Sequence, residues 1–174
     1  MADALDRLGV AEGIHSIWPG ARLRGPARTV WTRSGDNKLV REALDLAEAG
    51  EVLVVNGGGD LTRALVGELM VRRAQIRGLG GFVIDGAVRD QADIEALGFP
   101  VFARGVTPAG PFKHGPGHLD RPVAIGGVCV LPADFVRGDD DGLVVVTADE
   151  VDAVCERAEQ IVAMEDEKRR SYER

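Results

Sequence analysis

Gly81-Phe82-Val83-Ile84-Asp85-Gly86-Ala87-Val88-Arg89-Asp90 is an apolar run that ends in small residues and then presents a cation beside a carboxylate. The unbroken apolar character of Phe82 to Ile84 predicts a strand covered on both faces, as in a parallel sheet packed under helices. Asp90 to Leu97 follows as a helix stopped at Gly98. Upstream, Glu51-Val52-Leu53-Val54-Val55 repeats the buried-strand pattern. A helix from about Ala64 or Gly67 to Arg77, closed by Gly78 and Gly80, separates the two. Before them, Lys38 to Ala49 sets Val40, Ala43, Leu44 and Ala47 on one helical face and ends at Gly50. Phe99 to Ala103 is strand-like again. Strand, helix, strand, helix, strand in this order predicts an α/β fold built of parallel β-α-β units with right-handed crossovers.

The flanks read differently. Ala2 to Leu8 has helical spacing and stops at Gly9, which predicts a short helix packed on the main body or on a neighbouring chain. Arg22 to Arg33, with Thr29, Val30, Trp31 and Thr32, predicts a strand. Thr107 to Pro122 is rich in Gly and Pro and predicts a long structured loop without regular ladders. Pro122 to Leu131 and Gly142 to Thr147 read as two strands paired across the acidic turn Gly138-Asp139-Asp140-Asp141-Gly142. From about Asp149 a helix runs to Tyr172, and its apolar residues thin out until Glu165 to Arg174 is almost wholly charged. That tail is solvated or lies against another subunit. No repeat, linker or domain boundary interrupts the chain, so residues 1–174 are expected to form a single domain.

Composition narrows the function classes. Aromatic residues at 5% against 45% hydrophobic residues point to a core of Val, Leu, Ile and Ala. A formal charge of -7 argues against attraction to nucleic acid or to an anionic membrane. Cys129 and Cys155 belong to no metal-binding array and are expected as reduced, partly buried thiols. With neither a signal segment nor a membrane-spanning run, a cytoplasmic protein is expected.

Three places have residues suited to chemistry. Gly57-Gly58-Gly59-Asp60 follows a strand and, on this reading, precedes a helix, where backbone N–H groups could meet an anion. A tight strand-to-helix turn is the equally simple alternative. Gly67-Glu68-Leu69-Met70 lies near the start of the second helix, and a parallel β-α-β unit can bring Glu68 to the same sheet edge as Arg89. Alone, Glu68 reads as a helix-surface carboxylate. Arg89-Asp90, with Asp93 a turn later, could bind an oxyanion through the guanidinium and a hard cation through the carboxylate. The alternative is that Asp90 caps the helix it precedes and Arg89 forms a structural ion pair. His15, His114 and His118 are isolated, Asp139 to Asp141 read as a hairpin turn, and Lys38, Lys113 and Lys168 lie in polar surroundings unsuited to Schiff-base chemistry.

Taken together and in order, Val54-Val55-Asn56-Gly57-Gly58-Gly59-Asp60, Gly67-Glu68-Leu69, Gly86-Ala87-Val88-Arg89-Asp90 and Gly138-Asp139-Asp140-Asp141-Gly142-Leu143-Val144-Val145-Val146 resemble a known family. It contains the 4-hydroxy-4-methyl-2-oxoglutarate/4-carboxy-4-hydroxy-2-oxoadipate aldolases and the RraA-like regulators of ribonuclease E activity. Some members are labelled demethylmenaquinone methyltransferases, but the glycine-rich motif and acidic ribose ligand of an S-adenosylmethionine site are missing here. The resemblance implies a compact swivelling-type β/β/α domain, a small barrel-like sheet flanked by helices, assembled as a homotrimer or a dimer of trimers.

The aldolase branch of this family carries an acidic residue, twenty intervening residues, then Arg-Asp and a further acidic residue. Glu68, Arg89, Asp90 and Asp93 fill those places. The resemblance implies a class II aldolase acting on a small 2-keto acid, with Asp90 holding Mg2+ or Mn2+ partly through water. Arg89 and the metal would stabilise pyruvate enolate, Gly67 and the N–H groups of Leu69 and Met70 would hold the pyruvyl carboxylate, and Glu68 would orient a proton-relaying water. Oxaloacetate decarboxylation shares the same enolate. The competing implication is a non-catalytic regulator that binds ribonuclease E; in that branch the metal-binding aspartate is replaced, and Asp90 is retained here. A third reading is an enzyme of this scaffold for another 2-keto acid, its choice set by the Gly/Pro loop. Active sites in the family lie between subunits, where Asp3, or a C-terminal residue such as Glu165, could serve a neighbour.

Overall fold

The structure is a computed structural model that describes residues 1–172. Its spine is four parallel neighbours: β3 (Leu23–Thr32), β4 (Val52–Asn56), β6 (Gly81–Val88) and β7 (Val101–Val106). Every residue of β6 is buried. This follows from its central place, because alternate side chains enter two different cores. On one side Leu53, Val55, Phe82 and Ile84 pack under the helices α1 (Lys38–Leu46), α2 (Glu68–Ile76) and α3 (Gln91–Leu97). On the other side Val52, Val54, Val83 and Phe102 face an interior closed by Ile14, Leu23, Val136 and Leu143.

The sheet bends round to enclose that interior. Beyond β3 it continues antiparallel through β11 (Phe135–Asp139) and β12 (Gly142–Val146) to the short β1 (Val10–Ala11). Beyond β7 it ends at β2 (His15–Ser16). Since β1 and β2 belong to one short stretch of chain, that stretch links the two edges: Val145 donates to the Gly9 carbonyl at 2.9 Å and Ile17 to the Val101 carbonyl at 3.1 Å. Closure of this kind leaves few unpaired edge groups. The result is the barrel-like sheet flanked by helices that the family resemblance implies. On a separate face, α4 (Val151–Tyr172) packs Val154 against Ala4 and Val146. None of the described helices is long and apolar enough to cross a membrane.

Several expected elements differ. The N-terminal helix is only a single 3-10 turn, Asp3–Leu5, ended by Asp6 and Arg7 at positive φ. Ala64–Val66 is not helical but forms β5, paired parallel with β6, so α2 begins at Glu68. The Gly/Pro loop contains one ladder, β8 (Gly117–Leu119), on the exposed edge of β3. Pro122 to Leu131 is not one strand: Gly126 and Gly127, both at positive φ, fold it into the hairpin β9 (Val123–Ile125) and β10 (Val128–Val130). The partner of β12 across the acidic turn is therefore β11. Cys129, on β10, is exposed rather than partly buried. Glu173 and Arg174, the end of the charged tail, lie outside the described residues.

Candidate active site at the ends of the parallel strands

The parallel ladder between β5 and β6 pairs Val66 with Val88, and the Arg89 N–H donates to the Val66 carbonyl at 3.0 Å. The next residues of each strand, Gly67 and Arg89, are thus held side by side. Strand carboxyl ends in α/β sheets are the usual place for a ligand crevice. Gly67 is extended and has no room for a larger side chain: a Cβ there would lie 2.5 Å from Asp90 Oδ2 and 2.8 Å from Arg89 Nε.

Asp90 adopts the left-handed conformation at φ 61°, which Asp tolerates better than most residues. It occupies the N-cap position of α3, but its side chain makes no bond to that helix. Instead Oδ2 accepts the Glu68 N–H at 3.0 Å, capping α2, and lies 3.4 Å from Arg89 Nε. Both conservative sequence readings are therefore present in altered form, a cap on the neighbouring helix and an ion pair within the dipeptide. The N–H of Leu69 has no hydrogen-bond partner among the described residues, whereas that of Met70 donates to the Gly67 carbonyl at 3.1 Å. Unpartnered donors at a helix start attract anions.

These residues border a cleft of about 450 Å³. Gly67, Leu69, Met70 and Arg89 line it, together with Asn37, Arg41, Arg73 and Lys113, and no Asp or Glu does. Asn37 sits just before α1 and is 5% exposed. Its Nδ2 donates to the Leu65 carbonyl at 3.0 Å, which fixes the amide and leaves Oδ1 buried without a partner. Lys113 reaches the cleft because Asp36, fully buried, clamps its loop: one carboxylate accepts the N–H groups of Lys38, His114 and Gly115 at 2.8–2.9 Å. Burial pushes the Asp36 carboxyl up, but those three donors and Arg33 together hold it below its ordinary value. Arg63 also pins the loop, donating to the Gly110 carbonyl at 2.8 Å, and its guanidinium lies 4.1 Å from the Phe112 ring centre.

The other sequence candidates fall elsewhere. Glu68 bonds to Arg72 one turn along α2 and does not line the cleft. Asp93 lies in the first turn of α3, Asp3 pairs with Arg7 at 3.5 Å, and Glu165 pairs with Arg169 at 3.0 Å; none reaches the cleft of its own chain. The Gly57 to Asp60 loop leads into β5, not a helix, and its N–H groups are already used: Gly57 and Gly59 donate to the Asp85 carbonyl, and Gly58 to Asn56 Oδ1. It is a turn, not an anion cradle. Beneath it Asp85 forms an ion pair with Arg104, unanticipated from sequence; the hydrogen bond to Asp85 raises the Arg104 pKa above its ordinary value, against the opposing pull of burial.

Asn37, Arg41, Arg73 and Lys113 were also not anticipated. They come from three separate segments, and only the topology unites them. As to a metal, no group of three or more His, Cys, Asp or Glu gathers among the described residues. Asp90 offers one hard oxygen, Oδ1, without a protein hydrogen bond. That suits Mg2+, which keeps most of its waters and needs only one or two carboxylates.

Comparison with known proteins agrees with this geometry. A protein of Halalkalibacterium halodurans that carries the provisional name 4-hydroxy-4-methyl-2-oxoglutarate aldolase is 38% identical over 172 residues, 98% of this chain and 82% of its own length. A Thermus thermophilus protein named 4-hydroxy-4-methyl-2-oxoglutarate aldolase is 40% identical over 126 residues, 72% of this chain and 76% of its own. The crystal structure of Streptomyces coelicolor RraAS2, described as an unusual member of the RNase ES inhibitor RraA family, superposes with a TM-score of 0.86 at 30% identity, covering 98% of this chain and 89% of that one. The sequence pattern of the family described as RraA-like, Aldolase/RraA, matches residues 1–145, and the chain belongs to that RraA-like family.

Proposed function

We propose that this chain is a divalent-metal-dependent class II aldolase. Its substrate would be a 4-hydroxy-2-oxo di- or tricarboxylic acid of the 4-hydroxy-4-methyl-2-oxoglutarate type, cleaved to release pyruvate, with oxaloacetate decarboxylation as a second activity. The observation that carries this reading is the pairing of Gly67 with Arg89-Asp90 at adjacent strand ends, beside a cleft whose charged lining is wholly cationic. Such a lining suits an anionic substrate and a transition state that gathers negative charge.

In this mechanism the free N–H of Leu69, at the positive end of α2, receives the carboxylate next to the keto group. Arg89 donates to the 2-keto oxygen. When the C3–C4 bond breaks, its electron pair moves into the C2–C3 bond and the keto oxygen becomes an enolate oxygen, still facing the guanidinium. The C4 hydroxyl loses its proton as C4 becomes a carbonyl, and C3 later takes a proton to give pyruvate. Glu68, beside the cleft mouth on the first turn of α2, orients the water that carries these protons. Asp90 would hold Mg2+ or Mn2+ together with water, and the bound ion would supply Lewis-acid polarisation of the keto oxygen. We further assign the working form as a cytoplasmic homotrimer or dimer of trimers, with the cleft completed by a neighbour.

The test is pyruvate release from 4-hydroxy-4-methyl-2-oxoglutarate and from oxaloacetate, with and without Mg2+. Turnover undiminished by EDTA would overturn the metal requirement. A second reading, a regulator that binds ribonuclease E, is favoured by the description of the Streptomyces relative. Absence of both activities beside tight ribonuclease E binding would put that reading first.

A further inference from the structure

The cleft holds more positive charge than one carboxylate needs. Leu69 and Arg89 serve the 2-oxo acid end, which leaves Arg41, Arg73 and Lys113. Arg73 is already tied to Asp45 of α1. Arg41 and Lys113 have no carboxylate partner among the described residues, and none lines the cleft with them. Unpaired cations on a solvent-facing surface are ordinary, but these two border one concave site. They are also brought there deliberately: Asp36 fastens the Lys113 loop to the start of α1, the helix that bears Arg41, and Asn37 N–H donates to the Phe112 carbonyl at 3.0 Å.

A second and independent observation points to a ligand. Asn37 Oδ1 is buried in the lining of the same cleft with its amide orientation fixed, so it is an acceptor lacking a donor. Leaving such a group unsatisfied costs about 1–3 kcal/mol, and an entering ligand or its water would relieve it. Asn37 is anchored through Leu65, two residues before Gly67, so the orphan acceptor belongs to the wall that joins the two ends of the cleft.

We infer that Arg41 and Lys113 form a second carboxylate subsite, which selects 2-oxo acids with another carboxylate at their far end over monocarboxylic ones. This inference rests on the aldolase reading for the placement of the 2-oxo end. Arg41 is the anchor, since its planar fork can grip a carboxylate through two parallel bonds, and Lys113 adds a point charge from the opposite loop.

The experiment is calorimetric binding of 2-oxoglutarate and of 2-oxobutyrate, in the presence of Mg2+, to the parent protein and to Arg41→Ala, Arg41→Lys and Lys113→Ala. Loss of one charge-assisted contact predicts that Arg41→Ala binds 2-oxoglutarate about ten-fold more weakly while 2-oxobutyrate changes by less than about two-fold. Arg41→Lys should recover part of the loss, and Lys113→Ala should show the same selectivity on its own if Arg41→Ala proves unfolded. Equal weakening of both acids, no weakening, or no binding of 2-oxoglutarate by the parent protein would overturn the subsite. Selective weakening without any pyruvate release in the activity assay would leave the subsite standing and remove the aldolase reading alone.

Discussion

The Oδ2 atom of Asp90 accepts the backbone N–H of Glu68 at 3.0 Å, so one carboxylate ties the end of β6 to the beginning of α2. The residue proposed to hold the metal also orients the helix whose first amides face the cleft. Its structural and chemical duties can be separated by substitution.

Asp90→Asn keeps an acceptor for the Glu68 N–H and a residue type tolerant of the left-handed backbone. Its thermal stability should stay close to that of the parent, while stimulation of pyruvate release by Mg2+ disappears. Asp90→Ala loses the cap and strains the backbone, which should cost about 1–2 kcal/mol in addition. Denaturant melts and Mn2+ titration by electron paramagnetic resonance would check this. Unaltered Mn2+ affinity in Asp90→Asn would remove Asp90 from the metal.

Gly67→Ala should be inactive but folded. The added methyl has an allowed backbone conformation, yet it meets only the mobile ends of Asp90 and Arg89, which must move aside. A loss of about 100-fold in kcat/KM, with little change in melting, is the expected outcome for displaced reacting groups. Near-parental kcat/KM would mean that the Gly67 gap is unimportant.

Arg89→Ala should lower kcat for both pyruvate-forming reactions by about 100- to 1000-fold, the usual effect of deleting a donor to a developing oxyanion. Arg89→Lys should fall between the two, because it keeps the charge but not the planar fork. A change confined to KM would place Arg89 in binding alone.

Asp36 predicts a pH dependence. Its carboxyl lies below the ordinary value of 3.8 in the folded protein, so its contribution to stability is complete above the unfolded pKa and is lost as pH falls through the folded one. Asp36→Asn should therefore be less stable than the parent by about 2 kcal/mol at neutral pH, with the gap narrowing below about pH 4. Urea melts across that range would show it. A gap independent of pH would mean that the charge contributes nothing.

Much of the parallel core could be read in the sequence because burial on both faces leaves continuous apolar runs at Val52 to Val55 and Phe82 to Ile84. The short strands could not. Ala64 to Val66 merges into the helical pattern of α2, where three apolar residues have no distinguishable period. Val123 to Val130 looked continuous because the turn at Gly126-Gly127 interrupts apolar residues rather than polar ones. The same distinction holds at the site. Gly67, Leu69, Met70 and Arg89 belong to local motifs that resemble a known family, and they do share one cleft. Arg41, Arg73 and Lys113 lie in separate elements and have no local signal, while Asp36 looked like any loop aspartate until its three backbone donors were visible.

The two ends of the cleft are made of mechanically different material. Gly67 and Arg89 leave adjacent rungs of a fully buried ladder, whereas Lys113 rides on a loop fastened mainly by one aspartate. A lineage could thus exchange the loop from Gly110 to Gly115, and with it the acid that is admitted, while the arms that face the enolate keep their register. Diversification of substrate choice without loss of the reaction is the evolutionary freedom that such a scaffold provides.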